Sequence, residues 1–200
     1  MPLYLILFAI ASYLIGSIPT GVVLAKAFAR QDIRQAGSGN IGATNVTRIL
    51  GKKLGALTFL GDMLKGFLPL FIGARLFPDP SQLPVAVFGM AAFLGHVFPV
   101  YLRFRGGKGV ATAFGIFLYI SPVIILLMLG LFVFVVSVSR FVSVGSLSAA
   151  AVLPVMLLRY SFPLPIIVFG FCVALLIFVK HKANIQRLLQ GTENKIGGKK

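Results

Sequence analysis

The chain has 200 residues, 58% of them hydrophobic and 12% charged, with a mean hydropathy of +0.98. A soluble domain carries about a quarter charged residues, so a water-soluble globule is excluded, and the long apolar runs indicate an all-α, polytopic integral membrane protein. Nineteen lysines and arginines face four acids, for a net charge of +15. These cations are divided among short loops, so anionic lipid headgroups rather than nucleic acid are the expected partners.

The first span is expected over Met1 to Ala25. No basic residue precedes it, so the charged leader of a cleavable signal peptide is not seen. Gly16-Ser-Ile-Pro-Thr-Gly21 interrupts this span, where the proline can kink the helix. A loop from about 26 to 53 follows, with six basic residues and one acid, and it contains the polar run Gly37-Ser-Gly-Asn-Ile-Gly-Ala-Thr-Asn-Val-Thr-Arg48. Glycines allow a backbone to turn its N–H groups inward, and hydroxyls, amides and an arginine add donors suited to an oxyanion. Gly37, Gly39, Asn40 and Thr44 are therefore candidate substrate-binding residues. A flexible loop between membrane helices would have the same composition, and both readings stand at this point. The formal G-x-G-x-x-G match at Gly37–Gly42 is a decoy, because an apolar helix precedes it where a dinucleotide site needs a strand.

The second span is expected over Leu54 to Phe77, with Asp62 and Lys65 inside it at a spacing that lets them pair on one helical face. An internal ion pair and a direct catalytic role are both open for them. A turn at Pro78-Asp-Pro80 leads to a third span over Leu83 to Leu102, where His96 is read as structural. Next comes Arg103-Phe-Arg-Gly-Gly-Lys-Gly109, followed by Val-Ala-Thr112. Val110 to Ile120 is eleven residues, roughly 16 Å of helix, too short for a hydrocarbon core of about 30 Å. Its N-terminal N–H groups would point at the glycines, and Lys108 would add a point charge on a phosphate. The plain alternative is a lysine anchoring the inner membrane face; the flanking glycines and the short helix favour binding by Gly106, Gly107, Lys108, Gly109 and Thr112. Ser121-Pro122 then breaks the chain, and spans are expected over Val123 to Val138, Phe141 to Leu158 and Pro163 to Val179.

The tail holds His181-Lys-Ala-Asn-Ile-Gln-Arg187 and Gly191-Thr-Glu193. On a helix continuing from the last span His181 and Asn184 would share a face, although a lone histidine is usually structural or solvated. Sixteen of the nineteen basic residues fall in the loops assigned to one side. That asymmetry gives about seven transmembrane helices, some short, with the N-terminus out and the C-terminus cytoplasmic. We expect one membrane domain over 1–200, with three cytoplasmic motif segments at 36–53, 103–112 and 180–193. The single cysteine, Cys172, excludes an internal disulfide framework. No metal-ligand spacing, Walker A loop or cofactor motif is present, so neither metal nor cofactor is expected.

Taken together, the set Gly16–Gly21, Ser38-Gly-Asn-Ile-Gly-Ala-Thr-Asn45 with Arg48, Gly106-Gly-Lys-Gly-Val-Ala-Thr112, and His181-Lys-Ala-Asn-Ile with Arg187, Gly191 and Glu193 closely resembles the bacterial acyl-phosphate:glycerol-3-phosphate acyltransferases. The likeness spans essentially the whole chain. It implies transfer of a fatty acyl group from acyl phosphate to the 1-hydroxyl of glycerol 3-phosphate, giving lysophosphatidic acid and phosphate, the first step of phospholipid synthesis. It also implies catalytic roles for Ser38, Asn45 and Arg48, glycerol 3-phosphate binding by Gly106, Gly107, Lys108 and Gly109, and active-site roles for His181 and Asn184. The His-x4-Asp pair of many other glycerolipid acyltransferases is absent, since Tyr101 and Gln186 stand where the acid would be. The resemblance places the enzyme in the bacterial inner membrane, with its active site on the cytoplasmic side and no protein partner required. The alternatives are an anion or phosphate transporter, and the same acyl transfer from a thioester donor. The proton acceptor is either His181 or a substrate phosphate oxygen, and the absence of a nearby carboxylate in sequence favours the phosphate.

Overall fold

The structure, a computed structural model, describes residues 2–197. Met1 of the expected first span and Gly198, Lys199 and Lys200 of the basic tail lie outside the described residues. All regular elements among those described are helical, as the apolar runs require. Contacts divide the chain into two units, Met1–Ile120 and Ser121–Lys200.

The first unit contains α1 (Leu3–Gly16), α2 (Thr20–Ala29), α3 (Ala43–Leu50), α4 (Lys52–Leu76), α5 (Leu83–Val97) and α6 (Val110–Ile120). The expected kink is a true break: Pro19 cannot donate to the helix ladder, and α1 and α2 are separate helices on either side of it. At the centre α4 touches every other helix of the unit. It does so through glycines, where a side chain would collide with a neighbour: Gly55 faces Thr47 of α3, Gly61 faces Thr20 of α2, Gly66 faces the Thr112 carbonyl of α6, and Gly73 faces Phe88 of α5. In an apolar solvent helices associate by close van der Waals approach rather than by hydrophobic exclusion, and small residues at crossings permit it. The expected third span ends as a helix at Val97 and is completed by a 3-10 turn over Val100–Leu102. The eleven-residue helix expected at 110–120 is present with those bounds.

The second unit contains α7 (Pro122–Ser139), α8 (Val142–Arg159), α9 (Leu164–Lys180) and α10 (Lys182–Leu189), with α8 packed against both α7 and α9. Ser121 caps α7 by accepting the Ile124 N–H, and Pro122 occupies the first helical position. The continuation expected from the last span is not straight: between α9 and α10 the axis bends by 54° at His181. Among the described residues five segments, 3–29, 52–76, 83–102, 122–139 and 142–159, are long and apolar enough to cross a membrane. The bent α9–α10 pair is a sixth, and α6 is the short apolar helix. Large apolar side chains such as Leu7, Leu126, Phe134 and Leu175 face outward, which is where acyl chains would lie.

Candidate functional site

The loop between α2 and α3 is built on a small apolar base. Val22, Ala25, Ile33, Ile41 and Val46 form a buried cluster, with Ile49, Leu50, Leu54 and Leu102 packed on it. Above it, Asp32 caps the short 3-10 turn Ile33–Gln35 by accepting the Arg34 N–H, and it pairs with the Arg34 guanidinium at 2.6 Å. That hydrogen-bonded guanidinium holds the Asp32 carboxyl at about 2. Gly37 and Gly39 then adopt left-handed φ values of 60° and 68°, which glycine accepts without a Cβ penalty.

Asn45 organises this loop. It is buried at 2% exposure, accepts the Ser38 N–H at 2.9 Å, and donates from its amide nitrogen to the carbonyls of Ile33 (3.3 Å), Ala36 (3.0 Å) and Asn40 (2.9 Å). Its hydrogen-bonding capacity is thus taken up by the backbone. Asn40 in turn accepts the Gly42 N–H at 2.9 Å. Ser38, Thr44 and Arg48 are exposed. Among the described residues the Arg48 guanidinium has no hydrogen-bonding or ionic partner. Of the expected catalytic group in this loop, Asn45 therefore holds the backbone, while Ser38 and Arg48 face outward.

The second island follows two successive left-handed residues, Arg103 and Phe104 (φ 51° and 62°). Its glycines are seated on the end of α5. A Cβ on Gly106 would meet the carbonyls of His96 and Val97, one on Gly107 would meet the His96 ring, and one on Gly109 (φ 82°) would meet the Phe93 ring. The Gly107 N–H donates to the His96 carbonyl at 3.1 Å. Lys108 is half-buried and stands two residues before the first residue of α6, beside the positive end of that helix. Thr112, expected to bind substrate, is fully buried against Gly66 of α4. Its position is one of helix packing.

In the second unit the third island is gathered by Glu193, whose side chain is 7% exposed. Its carboxylate accepts from Ser143 Oγ at 2.9 Å, from Asn184 Nδ2 at 2.6 Å and from Arg187 Nε at 2.7 Å. Burial alone would raise the Glu193 carboxyl, but these three donors outweigh it and hold it below its ordinary value. His181, 2% exposed, places Nδ1 2.8 Å from the Ile177 carbonyl. A carbonyl only accepts, so Nδ1 carries the hydrogen of that bond.

Sequence reasoning missed Ser143, which lies fifty residues before Glu193 and carries no local signal. His96, expected to be structural, packs on the glycine island. Among the described residues no group of histidines, cysteines and acids could hold a metal ion.

Residues 6–191 match the family model for glycerol-3-phosphate acyltransferase. The chain is 53% identical to the glycerol-3-phosphate acyltransferase of Desulfotalea psychrophila over 190 residues, covering 94% of this chain and 95% of that one. It is 49% identical to that of Geobacter sulfurreducens over 192 residues, covering 96% of each. Among solved structures it is similar to the integral membrane glycerol 3-phosphate acyltransferase PlsY in its glycerol 3-phosphate form (TM-score 0.93, 39% identity, 97% of this chain and 96% of that one). It is also similar to the lysophosphatidic acid form (TM-score 0.89, 38% identity, 96% and 95%).

Proposed function

The chain belongs to the glycerol-3-phosphate acyltransferase family, and from that premise we propose that it draws its acyl group from acyl phosphate, at the cytoplasmic face of a bacterial inner membrane. It is a multi-pass membrane enzyme that acylates glycerol 3-phosphate. The 1-hydroxyl oxygen attacks the acyl carbonyl carbon, the bond from that carbon to the phosphate oxygen breaks, and inorganic phosphate leaves with lysophosphatidic acid as the other product. The hydroxyl proton passes to a phosphate oxygen. Since the donor is already activated, the protein chiefly has to orient two phosphates and stabilise the developing oxyanion.

In this reading Lys108 and the α6 N-terminus hold the glycerol 3-phosphate phosphate, and Ser38 and Arg48 face the acyl phosphate. His181, Asn184 and Glu193 belong to the same reaction as an ordered third segment. The observation that carries the reading is the 37–48 loop: its backbone is held by Asn45, while Ser38 and Arg48 stay exposed and Arg48 has no protein partner among the described residues. The excess of basic residues in loops of one side supports the cytoplasmic orientation.

The test is a purified, detergent-solubilised preparation given glycerol 3-phosphate with acyl phosphate, acyl-CoA or acyl carrier protein in separate reactions. One-to-one formation of lysophosphatidic acid and phosphate from acyl phosphate alone is expected. Product from a thioester donor would overturn the donor assignment and leave the acyl transfer. No product from any donor, with phosphate uptake by reconstituted vesicles, would restore the transporter reading.

A further inference from the structure

Asp62, Lys65 and His96 are buried together inside the first unit at 1%, 5% and 3% exposure. Lys65 Nζ lies 2.8 Å from Asp62 Oδ1, and His96 Nδ1 lies 3.6 Å from the same oxygen. The reaction described above uses none of them. Withdrawing ionisable groups from water costs several kcal/mol each, and well-packed apolar residues of similar volume commonly stabilise as well or better. α4 needs no ions to hold its neighbours, because its glycines already bring them into contact. Ionisable groups retained within a span call for a functional account.

The ends of the cluster supply one. Lys65 Nζ donates to the Ile18 carbonyl at 2.7 Å, in the break between α1 and α2. At the other end, the His96 carbonyl accepts the Gly107 N–H, and Gly107 sits so close to the His96 ring that a methyl group there would collide with it. The cluster therefore runs from one irregular backbone segment to the other, and its last member fixes the residue next to Lys108.

We propose that Asp62, Lys65 and His96 are positioning residues for the phosphate-binding loop: the ion pair sets the His96 ring, and His96 sets Gly107 and with it Lys108. This rests on reading 106–109 as the glycerol 3-phosphate site. A chain of fixed contacts of this kind supports a binding loop from behind, and a misplacement of about 1 Å at a reacting site costs up to roughly a hundredfold.

The test uses the full-length enzyme in detergent and measures both KM values, kcat and the thermal midpoint. The variants are His96→Phe, which keeps a ring but loses the nitrogen facing Asp62, His96→Asn, which restores a nitrogen near the Nδ1 position, and the double change Asp62→Leu with Lys65→Met, which leaves no unpaired charge. Lys108→Ala is run beside them. In His96→Phe and the double variant the KM for glycerol 3-phosphate is expected to rise roughly tenfold or more, with the KM for acyl phosphate and the thermal midpoint close to wild type. His96→Asn is expected to recover part of the affinity. An unchanged glycerol 3-phosphate KM in folded His96→Phe, or equal rises in both KM values with a lowered midpoint, overturns the proposal. Should the double variant not fold, His96→Phe decides by the same criterion. If Lys108→Ala leaves the glycerol 3-phosphate KM unchanged, the reading of the loop falls first and the positioning role falls with it.

Discussion

Asn184 donates its side-chain amide to Glu193 at 2.6 Å, and the same carboxylate binds Arg187 and Ser143. The segment after α10 is thereby tied to α8 by a largely buried anion with three donors. Hydrogen bonds to a charged group are worth about 1.5–3 kcal/mol each. Glu193→Ala is expected to lower stability by at least about 2 kcal/mol, or roughly 4–8 °C in the thermal midpoint of a chain this size, measured by thermal unfolding in detergent. The folded-state value of the carboxyl is depressed, so its contribution is complete above the unfolded value and is lost as pH falls through the lowered one. Wild type should lose midpoint as pH drops below about 4, and Glu193→Gln should show a shallower loss over that window.

Asn45 and Arg48 lie on the same short helix with opposite roles. Asn45→Ala strands the Ser38 N–H and the Asn40 carbonyl and removes one of two donors from the Ile33 and Ala36 carbonyls, so both the thermal midpoint and turnover are expected to fall. Arg48→Ala is expected to leave the midpoint within error and reduce turnover about ten- to a hundredfold, the value of one lost charged hydrogen bond. A near-normal rate in Arg48→Ala would remove that residue from the site.

The glycines of the second island can be ranked by what a methyl group would strike. Gly106→Ala meets two backbone carbonyls, which cannot rotate away, whereas Gly107→Ala meets the His96 ring, which stands 3.6 Å from Asp62. Overpacking costs about 1–3 kcal/mol, and both variants are expected to lose glycerol 3-phosphate affinity, with Gly106→Ala also losing thermal stability. Gly130→Ala, on α7 with nothing within 4 Å, is the control, and its midpoint should hold or rise.

His181 hydrogen-bonds the Ile177 carbonyl through Nδ1. An asparagine amide can reach the same carbonyl. If a substrate phosphate oxygen takes the hydroxyl proton, His181→Asn keeps much of the turnover and its pH–rate profile retains the wild-type shape. Near-total loss, together with disappearance of a limb of the pH–rate profile, would make the histidine the base.

Much of this molecule was readable before folding was considered. Apolar run length indicated the membrane helices, because an apolar solvent demands that each span satisfy its own backbone; the eleven-residue α6 followed from length, whereas at Pro19 only a kink was expected and the structure has a full break. Composition located the three polar islands, since glycines and hydrogen-bond donors are out of place beside lipid. The roles inside them were not legible. Asn45 and Ser38 both read as site residues, yet one is consumed by the backbone and the other left outward. Ser143 meets Glu193, and His96 meets both Asp62 and Gly107, across separations of eleven to fifty residues. Hydropathy and local pattern act over a helical turn or two. Which buried polar atom meets which is decided by where helices cross, and the glycine contacts that permit the crossings exist only once the chain has folded.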